Sequence, residues 1–192
     1  MNQVAQATSI SNRFQPDSPK APNSSITGSL APLRFEAKAS YDTPPEKLFT
    51  MVSEADNLHR WLPMIKTVKM DHSHSEKMSL CNVGSVRQCS FSGMGDVDES
   101  IIWWKPPHSY WFSFEPKGRM KMMIPTTDHV IAFISESDGK GGSIFTLQVY
   151  FNWRGVFMRY MAVHMMPMLL NKALANLQKE LGGAGGKMRR VA

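Results

Sequence analysis

Near its end the sequence carries one long apolar segment, Gly155–Leu181, and what precedes it is a succession of short strand-like stretches. Within that segment Val163, Met166, Leu170, Leu174, Leu177 and Leu181 recur every three or four residues, the spacing that lines one face of an α-helix. An apolar helical face of this length has to be covered by something. The stretches before it alternate with a period of two: about Leu33–Tyr41, Ile65–His72, Ser85–Phe91, Val97–Trp104, Ser109–Glu115, His129–Ser135 and Ser143–Phe151. Gly84, Gly93 and Gly95, Pro106-Pro107, Pro125 and Asp138-Gly139 mark turns between them. Strands linked by hairpin-length turns pair antiparallel, and a lone amphipathic helix gives such a sheet something to close on. The pattern predicts an α+β architecture: a seven-stranded curved antiparallel sheet wrapped around a long C-terminal helix. Two short helices follow the first strand. Thr43 with Glu46 three residues on reads as a capping box, with Pro in the first turn. The second helix, about Ser53–Arg60, is stopped by Pro63.

The ends differ from the body. Residues 1–31 are rich in Ser, Pro, Asn and Gln without hydrophobic period, so a disordered N-terminal tail is expected. Residues 182–192 open with Gly182-Gly183-Ala184-Gly185-Gly186 and carry Lys187, Arg189 and Arg190, which reads as a flexible basic tail. The ligand-binding domain is then 32–181. Of the net charge of +6, those C-terminal residues carry +3 and residues 1–31 carry +1, which leaves only +2 for the body and no basic face for a nucleic acid. Three tail cations support at most transient membrane contact. No run approaches the ~18 apolar residues of a membrane span. Residues 1–19 lack both a basic start and an apolar run, so no secretory leader is expected. The two cysteines, Cys81 and Cys89, do not form a CxxC motif, and a reduced, cytoplasmic location is expected.

Strand parity sorts the side chains. One face receives Arg87, Cys89 and Phe91; then Val97, Glu99, Ile101 and Trp103; then Tyr110, Phe112 and Phe114. The last two strands are apolar on both faces, and parity alone does not orient them.

Several landmarks give the order of elements an identity. Pro44-Pro45-Glu46-Lys47-Leu48-Phe49, Leu58-His59-Arg60-Trp61-Leu62-Pro63, Gly84-Ser85-Val86-Arg87 and Glu99 resemble the polyketide cyclase/dehydrase and lipid-transport group of the Bet v 1-like (START-like, SRPBCC) superfamily over about 33–181. The stretch from Gly84 to Glu99 is also similar to the plant abscisic acid receptors, whose gate falls at Ser92-Gly93-Met94-Gly95-Asp96 without the gate proline. The resemblance implies the helix-grip fold and an internal cavity for a hydrophobic small molecule that is polyketide-, isoprenoid- or lipid-like. It also implies that His129, Ile131, Phe133, Ile144, Thr146, Gln148 and Tyr150 point inward.

An apolar pocket with a few convergent polar groups is the usual form of a small-molecule site. The expected lining is Cys89, Phe91, Ile101, Trp103, Tyr110, Phe112, Phe114, His129, Ile131, Phe133 and Gln148, with Met161 and Met165 from the helix. Thioethers adapt to variable ligands, and methionines cluster at 120–123 and 158–168. Adjacent antiparallel strands would allow Arg87 and Glu99, on the same face, to come opposite each other as a charge-assisted pair. In a cyclase/dehydratase, Arg87 holds a developing oxyanion, Glu99 accepts the proton and Tyr150 assists. In a non-catalytic carrier or sensor, these polar residues only orient the ligand; as a purely structural element, Arg87 and Glu99 would be a buried ion pair that fixes strand register. His72 and His74 share a strand face but have no third ligand, so no metal is expected. The sequence has no nucleotide-binding glycine motif, so no cofactor is expected either. If the inner face is as implied, Phe145, Leu147, Val149 and Phe151 form an outer apolar patch with Val130, Ala132 and Ile134, the surface of a homodimer.

Overall fold

The computed structural model describes residues 31–191 apart from 78, 79 and 125, and apart from the side chains of 156–158 and 161. Of the expected tail at 1–31, residues 1–30 lie outside the described residues, and Ala31 is buried. The elements follow in order: β1 (Leu33–Tyr41), α1 (Pro45–Ser53), α2 (Ala55–Trp61), β2 (Ile65–Asp71), β3 (Val86–Phe91) and β4 (Gly95–Lys105). Next come β5 (Ser109–Pro116), α3 (Gly118–Met123), β6 (Thr126–Ser137), β7 (Ser143–Trp153), α4 (Val156–Leu181) and β8 (Arg189–Arg190). The strands form one antiparallel sheet in the order β2-β3-β4-β5-β6-β7-β1-β8. The α+β helix-grip architecture is the one expected from the sequence, with one strand and one short helix more.

α4 covers the concave face of the sheet. Ala173, Leu174, Leu177 and Leu181 are fully buried against Phe35, Ala37, Ala39 and Tyr41 of β1 and Phe145, Leu147, Val149 and Phe151 of β7, within one hydrophobic core. The helix runs unbroken through Pro167. α2 is tied to it by the Arg60–Glu180 ion pair and by Asn176, whose amide donates to the Trp61 carbonyl at 3.3 Å.

Four local expectations are corrected. The N-cap of α1 is Pro44, whose carbonyl accepts from Lys47 and Leu48; Thr43 makes no cap bond, because two prolines in succession move the helix start one residue on. β4 carries a bulge between Ile101 and Trp103. A bulge reverses the alternation beyond it, so Trp104 enters the core beside Phe49, at 5.2 Å between ring centroids, while Trp103 turns outward. β6 pairs Phe133 with Leu147 and Ile131 with Val149, and paired residues share a face. Leu147 and Val149 must therefore point in, and Gln148 and Tyr150 point out.

That register takes Phe145, Leu147, Val149 and Phe151 out of the expected outer patch, since they are core, and leaves Val130 and Ala132 in it. The outer face carries Trp111, Val130 and Ala132, packed with Ile102, Trp103 and Tyr150. Tyr150 stacks on Trp111 at 5.9 Å.

The fourth correction is at the C-terminus, where residues 182–191 do not lead away as a flexible tail. Ala184 bridges Ser40, β8 pairs with Phe35 and Glu36, Met188 is buried, and Arg189 binds Glu36 at 3.0 Å. The glycines permit this return. Gly183 sits at φ +93°, and a Cβ on Gly183 or Gly186 would collide with the carbonyl of Ser40 or Lys38. The strap covers the β1 edge, which would otherwise present unpaired backbone groups. Gly183→Val is therefore expected to lower unfolding free energy by about 1–3 kcal/mol in urea titration. An unchanged midpoint would mean that the strap adds nothing to stability.

Candidate functional site

α1 ends inside the fold, and its last carbonyls have no helical partner. Two side chains from the sheet supply donors. The Tyr110 hydroxyl donates to the Val52 carbonyl at 2.5 Å, and Arg87 Nη1 donates to the Ser53 carbonyl at 3.2 Å. A cation at a helix C-terminus is also favoured by the helix dipole. Arg87 Nε donates to Glu99 Oε2 at 2.5 Å, a pairing made possible by the β3–β4 register, which sets Arg87 opposite Glu99. The guanidinium lies 5.3 Å from the Phe112 ring and 5.9 Å from the Tyr110 ring. It is 2% exposed. Burial opposes its charge, but Glu99 and the neighbouring acceptors outweigh this and hold the guanidinium more firmly protonated than usual.

The same burial keeps the neighbouring thiol and phenol protonated at neutral pH. The Cys89 thiol is pushed up to about 12, by burial first and by Glu99 second. Burial likewise raises the Tyr110 phenol, against the pull of Arg87. Arg87, Glu99 and Tyr110 thus form a closed cluster in which each polar group is already engaged by protein.

The interior is different at its other end. The β3–β4 turn, the β5–α3–β6 connection and the β7–α4 link all lie there, as the pairings Phe91 to Gly95, Val97 to Pro116 and Thr126 to Trp153 require. Phe91, Ile131, Trp153, Met166 and Leu170 are only half-buried against the core, and Phe114 is similar. The core side of α4 thus grades from half-buried Met166 and Leu170 to fully buried Leu174 and Leu177 along its length. This is the open end of the sheet–helix interior. α3 stands over it with Met120 turned in, and Arg154 Nη1 donates to the Lys121 carbonyl at 2.9 Å, joining α3 to the start of α4.

His129 belongs to this end. Its ring meets Phe114 at 5.2 Å and Phe151 at 6.3 Å, and its Nε2 is hydrogen-bonded to Thr126 Oγ1. Burial holds its pKa below the ordinary 6.5, despite a backbone contact with Phe114 and the nearby Asp128.

Of the expected site residues, Arg87, Cys89, Phe91, Glu99, Ile101, Tyr110, Phe112, Phe114, His129, Ile131 and Phe133 are on the concave face. Trp103, Gln148 and Tyr150 are on the convex one, so Tyr150 stands away from Arg87 and Glu99, and its hydroxyl donates to Gln148 Oε1 at 2.8 Å. Met165 is exposed, and the side chain of Met161 lies outside the described residues. Sequence reasoning missed Trp104 and Trp153. The bulge concealed the first, while the second follows directly from the alternation Val149, Phe151, Trp153 once β7 is oriented. A surface hollow of about 370 Å³ on β2–β4 is lined by Thr67, Lys69, Gln88, Asp98 and Lys117, a polar wall unsuited to an apolar ligand. Among the described residues no cluster of three or more His, Cys, Asp or Glu is placed to hold a metal, and no helix is long and apolar enough to cross a membrane.

The sequence profile of the polyketide cyclase/dehydrase and lipid transport family matches residues 32–182. No curated protein sequence matches the chain. Among solved structures, norcoclaurine synthase from Thalictrum flavum, in complex with dopamine and hydroxybenzaldehyde, superposes with a TM-score of 0.58. It is 11% identical, over 94% of this chain and 95% of that one. The protein XoxI from Bacillus cereus gives 0.58 at 16% identity, over 76% and 93%. Ara h 8.0201 gives 0.53 at 15% identity, over 77% and 99%. At these identities the likeness establishes the fold.

Arg87→Met should cost about 3–5 kcal/mol in denaturant unfolding, because it leaves the Glu99 carboxylate buried and uncompensated. Arg87→Met with Glu99→Leu should recover part of that loss. Below pH 6.5 the unfolded chain protonates His129 before the folded protein does, so stability falls as the pH drops through that value toward the folded-state pKa. The slope of stability against pH in that window should flatten in His129→Gln, measured by thermal melts from pH 7.5 to about 5.

Proposed function

The chain belongs to the polyketide cyclase/dehydrase and lipid transport family, and on that premise we propose that it is a carrier or sensor for one apolar small molecule. The molecule, polyketide-, isoprenoid- or lipid-like, is held between the sheet and the first half of α4 and is not transformed there. The observation that carries this reading is the division of the interior. Arg87, Glu99 and Tyr110, the groups a cyclase would use, are engaged with one another and with the end of α1. What is left for a ligand is apolar and half-buried: Phe91, Phe114, Ile131, Trp153, Met166 and Leu170. Burial of apolar surface at that end drives uptake, and its aromatic and thioether walls accept more than one shape.

His129 favours a second, catalytic reading. An imidazole kept neutral by burial, among aromatic rings at the open end, has the form of a general base. In that reading a carbonyl substrate loses a proton to His129, and His129→Gln abolishes turnover while leaving binding intact.

Native mass spectrometry of freshly purified protein, followed by denaturing extraction, tests the carrier reading: a discrete apolar adduct is expected. With cis-parinaric acid as fluorescent probe, Ile131→Trp and Leu170→Trp fill the half-buried end and should weaken binding by roughly tenfold or more. Arg87→Met, assayed where it remains folded, should leave affinity within about threefold. Loss of binding in folded Arg87→Met, with the tryptophan variants unaffected, would move the site to the polar cluster and overturn this reading.

A further inference from the structure

We propose that the open end, made by α3 and the first half of α4, is a docking surface for an anionic lipid bilayer. The inference rests on reading this end as the entrance for an apolar ligand. On α3, Met122 and Met123 are 74% and 52% exposed while Met120 is buried. On α4, Tyr160, Met165 and Met168 are exposed, and Tyr160, His164 and Met168, four residues apart, form a stripe facing away from buried Ala162. The hydrogen bond from Arg154 to the Lys121 carbonyl holds the two elements together. Large apolar side chains grouped in water mark a partner surface.

The surrounding charge identifies the partner. Arg119, Lys121, Arg154 and Arg159 are all exposed at this end. Neither 117–124 nor 154–172 contains an Asp or Glu. Of the acidic groups nearby, Asp98 binds Lys117 at 3.0 Å and Asp128 accepts from Asn152 and Thr127 at 3.0 Å each, while Asp96 and Glu115 lie exposed on β4 and β5, outside these two segments. Protruding methionines within a ring of cations match acyl chains beneath anionic headgroups. A second copy of the chain would bring like charges against like across a two-fold axis. The surface therefore fits a membrane better than a homodimer, and it places the entrance where an apolar ligand resides.

The test is co-sedimentation of the full chain, with no ligand added, on vesicles of phosphatidylcholine alone and of phosphatidylcholine with phosphatidylglycerol. Binding is expected only to the anionic vesicles, and it should weaken as salt is raised. Arg119→Ser with Lys121→Ser should lower the partition coefficient about 25-fold. Met122→Ser with Met123→Ser, and Met165→Ser with Met168→Ser, should lower it at every salt concentration, with circular dichroism confirming an unchanged fold.

Equal binding to both vesicle types, binding to neither, or indifference to both sets of substitutions overturns the proposal. So does a concentration-dependent dimer in sedimentation velocity that the methionine substitutions disperse, which would assign the surface to a second copy. Uptake of cis-parinaric acid, measured on the same samples, separates the two readings. Uptake without vesicle binding overturns the docking surface alone, whereas absence of uptake overturns the ligand reading.

Discussion

A buried guanidinium organises this molecule. Arg87 lies on β3 with its charge out of water, and an unpaired cation there would be untenable. Glu99 supplies the counter-charge from the next strand, the Ser53 carbonyl supplies an acceptor, and Phe112 and Tyr110 present their ring faces. These contacts join three parts of the chain. The β3–β4 register is fixed by the pair, the end of α1 is fixed by Arg87 and Tyr110 together, and the α1–α2 hairpin is thereby held against the sheet. The aromatic packing of Phe49, Trp104, Tyr110 and Phe133 follows from that placement.

This arrangement divides the interior into two halves with different physical properties. At the cluster Arg87, Glu99 and Tyr110 are hydrogen-bonded within the protein, and the surrounding side chains are close to fully buried. At the opposite end α4 leans on the sheet through half-buried Met166 and Leu170, beside Phe91, Ile131 and Trp153. Only that second half leaves apolar surface for a ligand to cover.

The overall architecture was legible in the sequence because periodicity reports burial directly. Strand alternation and the three-to-four residue spacing of α4 gave the order of elements, and the parity of β3 and β5 placed Arg87, Cys89, Tyr110 and Phe112 on the concave face. Two features broke the rule. The bulge at Ile101–Trp103 exchanged one tryptophan for the next, and no local signal announces Ile102 as an extra residue before the two tryptophans. β6 and β7 are apolar on both faces, so alternation carried no information about which way they point. The convex cluster of Trp111, Val130 and Ala132 is the reason for that double-sided pattern. The glycines at 182–186 read as flexibility, yet in the fold they allow a close approach to β1 that side chains would block.

By itself the sequence determined the fold class, the one long helix and the placing of Arg87 and Glu99 on one face of adjacent strands, because each depends on local spacing. Tertiary structure decided what that pair is bonded to. A carboxylate and a guanidinium facing each other across a hairpin look the same in sequence whether they await a substrate or hold a helix end. Only the position of α1, brought in by packing from more than thirty residues away in the chain, supplies the carbonyl that completes the second arrangement.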